Sequence, residues 1–294
     1  MNWQIPAKTF LLGEYAALAG AGAILLTTSP CFETSLKEES LTNAIHPESP
    51  AGKWWSRHQS TLANTSFGMS WKDPYHGQGG LGASSAQFLG AYLSSCHVSG
   101  IEPNHEALLE YYYESAWSGK GLKPSGYDVL AQSQRGCVYI NRQQEIMQSY
   151  AWPFEDLAFI LVHSGHKLAT HHHLQSTTLP NAVDVLANLV EQGKQAFEEK
   201  DSAGLLQAVS DYQKELSRLN LTAEPTLRLI EAIKSQLKVL AVKGCGAMGA
   251  DVLLLIVANT ELDTQTDYLN TKGWMVLADN RMLYQGQELI KKKS

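Results

Sequence analysis

Read by hydrophobic period, the chain divides into strand-like and helix-like segments. Ile5 to Leu12 reads as a strand ending at Gly13. Ala23 to Leu36 is rich in aliphatic and β-branched residues, so the pattern predicts one strand and then one or two more. Ser84 to Cys96 and Pro103 to Trp117 repeat apolar residues at helical spacing, with Pro103 placed to open the second helix. A short helix beginning near Ser125 leads into a strand over Gly136–Ile140. Leu157–His163 and Val252–Val257 read as buried strands, separated by helical patterns over 182–200, 203–219 and 224–237. Leu262–Thr271 reads as helix and Trp274–Ala278 as extended. Ser40 to Trp71 is polar and turn-rich with β-type pieces. A break at Tyr150–Pro153 divides the chain into residues 1–152 and 153–294, each mixing strands with helices, and predicts two layered units sharing a cleft.

Composition narrows this picture. A chain of 294 residues with 44% hydrophobic and 18% charged residues is globular and long enough for one large domain or two ordinary ones. Its net charge of −6 argues against a general nucleic-acid or membrane-surface binder. No apolar run approaches the roughly 18 residues of a bilayer span. The opening Met1–Pro6 lacks the basic and apolar regions of a signal peptide. The cysteines Cys31, Cys96, Cys137 and Cys245 show no C-x-x-C spacing, which points to reduced thiols in the cytoplasm.

Gly79-Gly80-Leu81-Gly82-Ala83-Ser84-Ser85 crowds glycines and serines directly ahead of a helical pattern. Glycine permits close backbone approach to a ligand, and a helix start offers unpaired N–H groups at a positive dipole end, so this stretch suits phosphate. It also contains Gly77-x-Gly79-x-x-Gly82, a formal dinucleotide fingerprint. That motif requires a preceding buried strand, whereas Ser70–His76 is polar and interrupted by Pro74. The Gly-Lys-Ser/Thr of a Walker loop is absent. A plain glycine turn into a helix is the competing reading.

Three separated segments together resemble the GHMP kinases, the family of galactose, homoserine, mevalonate and phosphomevalonate kinases. They are Pro6–Leu18 with Lys8 and Gly13-Glu14-Tyr15, the loop Gly80–Ala86, and the glycine-rich Lys243–Asp251. A fourth, Lys123-Pro124-Ser125-Gly126-Tyr127-Asp128, resembles the family's Pro-Ser-Gly-x-Asp segment. The resemblance implies an α+β, two-domain fold: an N-terminal α/β domain, a C-terminal ferredoxin-like domain and an active site in the cleft between them. It implies ATP and Mg2+ as cofactors and a small anionic substrate, and it is compatible with a homodimer. The Gly-Glu-Tyr form and Asp251 lean towards phosphorylation of 5-phosphomevalonate in isoprenoid precursor synthesis. Mevalonate as acceptor, and a catalytically silent metabolite sensor on the same fold, are the alternatives.

Roles follow residue by residue from the resemblance. Lys8 and Asp128 are the catalytic pair, and Gly79, Gly80, Leu81, Gly82, Ala83, Ser84 and Ser85 hold the nucleotide phosphates. Ser85 is weighed between a phosphate contact and a helix cap, with the cap favoured. Glu14, Tyr15, Ser125, Gly126, Lys167, Thr170, Lys243, Gly246 and Ala247 line the acceptor site. Ser84 is the metal ligand. Where the family places a second metal ligand this chain has Trp117, so Glu114, about one helical turn away, takes that role. Ala7, Ala83, Met248 and Ala250 also depart from the family pattern. Lys120, Lys123, Lys167 and Lys243 are the cations offered to an anionic acceptor. His163, His166 and His171–His173 suggest zinc, but consecutive helical residues diverge and do not converge on one ion. Trp54-Trp55 suits packing better than a partner surface.

Overall fold

The framework of the computed structural model, which describes residues 1–37, 45–59, 68–165 and 183–291, is a pair of antiparallel sheets. In the first, β1 (Asn2–Leu12) lies along β2 (Ala23–Lys37), with Lys8 opposite Thr27. β2 is one continuous strand. Its other edge is shared end to end by β4 (Cys137–Asn141) and β3 (Gly68–Lys72), and β5 (Ile146–Tyr150) closes the order β1-β2-β4-β5. β5 is absent from the sequence reading because it is a half-exposed edge with no buried face to impose alternation.

The sequence reading also assigned no helix before Trp71, yet α1 occupies Pro50–Gln59. Pro50 suits a first helical position, and Ala51, Trp54 and Trp55 fall at helical spacing. Both tryptophans are buried, so packing is their role. α2 (Ala83–Ser99), α3 (His105–Ala116) and α4 (Tyr127–Gln132) follow.

The second sheet has the order β7-β8-β6-β9, from β6 (Leu157–His163), β7 (Ala241–Cys245), β8 (Val252–Ala258) and β9 (Val276–Asp279). Helices α5 (Val183–Glu199), α6 (Ser202–Arg218) and α7 (Glu224–Gln236) separate β6 from β7, and α8 (Leu262–Thr271) separates β8 from β9. This β-α-β-β-α-β order is ferredoxin-like. β7 escapes the hydrophobic pattern because Lys243 and Gly244 interrupt it. Along β6 the pleat sends Phe159 and Leu161 into one core, and Ala158, Ile160 and Val162 into another under α7 and α8.

The larger core runs across the break at residues 152 and 153. Leu186 and Val190 of α5 belong to the same cluster as Leu12 and Ile24, and the Tyr139 hydroxyl donates to Glu191 at 2.6 Å. The C-terminal segment returns to the first sheet. Tyr284 N–H donates to the Thr27 carbonyl at 2.9 Å, and Gln134 Nε2 to the Ile290 carbonyl at 3.0 Å. Among the described residues no helix is long and apolar enough to cross a membrane.

Ile290, 1% exposed, anchors this strap in the core. Ile290→Ala is expected to cost about 2–4 kcal/mol through lost burial and a residual cavity. Urea unfolding should show a lower midpoint with an unchanged slope; an unchanged midpoint would mean that the strap is dispensable.

Candidate active site

β1 brings the sequence motifs together. Its centre holds Lys8, whose backbone N–H donates to the Leu81 carbonyl at 3.0 Å and so ties the strand to the glycine loop. The Lys8 ammonium, nearly buried, pairs with Asp128 at 3.1 Å. Asp128 lies in the first turn of α4, where the helix dipole favours a carboxylate. That helix starts at Gly126, and the Ser125 hydroxyl accepts the Tyr127 N–H at 3.3 Å. Asp128 keeps 31% of its side chain exposed and Lys8 9%, so the pair is reached from the Asp128 side.

The glycine loop ends at Gly82, which caps α2 in the left-handed region with φ 82°. The helical ladder begins with Ala86 N–H donating to the Gly82 carbonyl, which leaves the N–H groups of Ala83, Ser84 and Ser85 ahead of it. Ser84 is exposed at this end. Ser85 is not the cap residue: it is inside the first turn, and its hydroxyl donates back to the Gly82 carbonyl at 2.9 Å. A Cβ on Gly82 would sit 2.9 Å from both Lys8 Cγ and Gln132 Nε2. Gln132, fully buried, donates to the Pro6 carbonyl at 2.9 Å and the Gly82 carbonyl at 3.1 Å, which locks the loop to β1. Nothing in the sequence marks this glutamine as part of the site.

The third motif closes the arrangement from the other sheet. A Cβ on Gly80 would lie 2.5 Å from Asp251 Cβ, so the two glycine-rich turns touch. Gly246 and Ala247 form the turn after β7. Lys243, offered above to an anionic acceptor, is fully buried and pairs with Glu14. Burial pulls its pKa down, but Cys245 and Glu14 outweigh that and hold it above the ordinary lysine value. Lys243 and Glu14 are therefore each other's partners, buried where the sequence reading expected acceptor contacts. Tyr15 is buried too; its hydroxyl accepts the Met248 N–H at 3.2 Å. Burial pushes the Tyr15 phenol up to about 12, against the lowering effect of that N–H and with a further push from Glu14.

Glu114 is turned to solvent and makes no hydrogen bond or ion pair among the described residues. Helical period explains this. Tyr112, two positions earlier and on the opposite face, is the side chain near Asp128; burial, then the Asp128 charge, raises its phenol pKa. Among the described residues no group of three or more His, Cys, Asp or Glu side chains is placed to hold a metal ion. His163 is half-buried and its Nδ1 accepts the Gly165 N–H at 3.2 Å. Lys167, Thr170, His166 and His171–His173 lie outside the described residues.

Two cations remain beside the Ser125–Asp128 turn. Lys123, exposed, stands 3.7 Å from the centre of the Tyr113 ring. Arg142, which the sequence reading did not single out, donates to the Tyr113 hydroxyl at 2.6 Å, and that hydroxyl donates to the Ser125 carbonyl at 2.8 Å. Lys120 is exposed, and its carbonyl accepts the Trp117 indole N–H at 3.2 Å.

No protein-family model matches the chain, and no curated protein matches it in sequence. Solved structures do match in fold. Mevalonate kinase of Methanococcus jannaschii superposes with a TM-score of 0.74 at 16% identity, covering 95% of this chain and 97% of that one. Streptococcus pneumoniae phosphomevalonate kinase, in complex with phosphomevalonate and AMPPNP, gives 0.76 at 14% identity, covering 95% and 99%. Mevalonate pyrophosphate decarboxylase of Streptococcus pyogenes gives 0.70 at 10% identity, covering 99% and 98%. The chain has the GHMP kinase fold over nearly its whole length.

Gly82→Val would force a branched side chain onto Lys8 and Gln132 at a left-handed position. Overpacking there, added to the backbone strain, should cost about 1–3 kcal/mol or more, read as a lowered melting temperature. Gly77→Ala is the control. Its Cβ would meet nothing within 4 Å, so it should cost only the left-handed strain of about 1 kcal/mol. Equal losses of stability in both variants would refute the packing of Gly82 against Lys8 and Gln132 as the reason that this position is glycine.

Proposed function

We propose that the chain is an ATP-dependent small-molecule kinase of the GHMP type, acting in the cytoplasm on 5-phosphomevalonate. The observation that carries this reading is the Lys8–Asp128 pair at 3.1 Å on a strand bonded directly to the glycine loop. Phosphoryl transfer needs little covalent help from protein. It needs positioning and neutralisation of the charge that spreads over the transferred group. The free N–H groups of Ala83, Ser84 and Ser85 at the start of α2 suit nucleotide phosphates. The Lys8 ammonium supplies positive charge to the reacting oxygens, and Asp128 keeps that ammonium aimed and accepts a proton where the acceptor carries one.

Mg2+ fits this chain mainly through the nucleotide, since the ion keeps few protein ligands and prefers phosphate and water oxygens. The exposed Ser84 hydroxyl at the start of α2 is the protein group that would hold it. When bound, the ion neutralises phosphate charge. Glu114 faces away and is not needed for this.

Mevalonate is the second reading, and one observation favours it: pairing with Glu14 removes Lys243 from the cations available to an acceptor phosphate. Acid–base chemistry separates the two acceptors. An alcohol must lose a proton during transfer, whereas a phosphate monoester with a second pKa near about 6 is mostly dianionic at pH 7.

ADP release should be measured with mevalonate, 5-phosphomevalonate, homoserine and galactose. Turnover with 5-phosphomevalonate is the expected result; turnover with mevalonate alone would replace it with the second reading. No ATP consumption with any acceptor would support the sensor. Lys8→Met should slow phosphomevalonate turnover by about 100-fold or more. Asp128→Asn should be the milder change on that acceptor. If it is the more damaging one, proton removal is limiting and the acceptor is an alcohol.

A further inference from the structure

We infer that Glu14, Tyr15 and Lys243 are positioning residues: a two-point polar brace that holds the turn after β7 in a strained shape against the end of β1. This rests on the kinase reading for its catalytic consequence, but not for the brace itself. The Gly13–Tyr15 turn follows β1 directly, so whatever holds it also holds the strand that carries Lys8. Glu14 reaches Lys243 on β7, and the Lys243 ammonium donates a second bond to the Gly244 carbonyl at 3.1 Å. The next residue, Tyr15, accepts the Met248 N–H at 3.2 Å. Two adjacent residues of one half thus grip two points, five positions apart, around one turn of the other half.

Met248 is the reason that such a grip is needed. It stands at φ 55°, ψ 22°, in the left-handed region that side-chain-bearing residues avoid. Strained backbone of this kind persists only where its surroundings over-determine it. Both polar groups of the Met248 backbone are engaged, its N–H by Tyr15 and its carbonyl by the Ala223 N–H at 2.8 Å. The base of the turn is fixed in turn by Gln213, whose Oε1 accepts the Gly244 N–H at 2.9 Å. The turn runs into Asp251, which packs on Gly80 of the glycine loop. Displacing it would therefore move both the acceptor side of the cleft and the phosphate loop.

Burial argues against the competing role, direct contact with substrate. Lys243 is 0% exposed and the Glu14 side chain 7%, so no acceptor reaches either without breaking the pair.

Two variants and a readout independent of activity test the brace. Removing one charge strands the other in the interior, so single changes risk unfolding the protein. Replacing both groups with neutral ones of similar size is often tolerated. The double variant Glu14→Gln/Lys243→Met and the milder Tyr15→Phe, both in the full chain, are compared with wild type. Amide hydrogen exchange at Met248 and Gly249 should accelerate by about 10-fold or more in each. In the double variant kcat should fall about 10-fold or more, while KM for ATP and acceptor stays within about 3-fold. Unchanged exchange at Met248 and Gly249 in both variants would overturn the brace. A rise of about 10-fold in acceptor KM at unchanged kcat would also overturn it, in favour of substrate contact. If wild type transfers no phosphoryl group at all, the kinase reading fails, while the exchange measurement still decides the brace.

Discussion

A lysine ammonium held inside the molecule must find an anion, and in this chain that requirement organises the whole site. Lys8 is 7% exposed overall, in the middle of a strand whose neighbours are apolar, and Asp128 is the carboxylate that meets it. An unpaired ammonium there would be too costly to keep charged. Bringing Asp128 to Lys8 fixes where α4 begins, and α4 ends on Gln132, which bonds to Pro6 and Gly82. Gly82 has no side chain because the stem of Lys8 fills that space. The start of α2, with the N–H groups of Ala83, Ser84 and Ser85 ahead of its ladder, is therefore set by the same lysine that pairs with Asp128.

The cleft is bounded by contacts that do not yield easily. The core is continuous from the first sheet into α5 and α6, and the C-terminal strap returns to Thr27 and Gly136. The glycine-rich turns meet at Gly80 and Asp251. A hinge motion along this seam would expose buried apolar surface at roughly 25 cal/mol per Å². Access is better served by the open side, where Asp128, Ser84 and Lys123 reach solvent.

What the sequence could disclose follows from the physics of each element. β6 and β8 are buried and nearly continuous in apolar character, β1 ends in the apolar stretch Phe10–Leu12 before Gly13, and α2 starts at a glycine loop, so all four were legible. The ferredoxin-like order came through a family resemblance and not through periodicity, because β7 carries a lysine and a glycine where a strand pattern expects apolar residues. α1 hid behind a polar composition; its signal was Pro50 followed by Ala51, Trp54 and Trp55 at helical spacing. Pairwise facts were the least legible. Lys8 with Asp128 was anticipated from motif roles, whereas Lys243 with Glu14 joins positions 229 apart and no local pattern encodes it. The placement of Glu114 was not legible for a local reason: its helical phase turns it to solvent, with Tyr112 on the face near Asp128.

At 10–16% identity a shared fold does not specify an acceptor, whereas the charges that surround Asp128 are this chain's own. Counting lysines along the chain overstates the positive potential, because buried pairs cancel locally. Lys243 is neutralised by Glu14, and the Lys8 charge is balanced by Asp128. The described cations left beside the Ser125–Asp128 turn without a carboxylate partner are Lys123 and Arg142, both held against Tyr113. Tyr113 links them mechanically to the turn that carries Asp128, since its hydroxyl donates to the Ser125 carbonyl just ahead of Gly126. An anion bound by these two side chains would therefore be felt at the backbone that positions Asp128, because Tyr113 joins both cations to the Ser125 carbonyl.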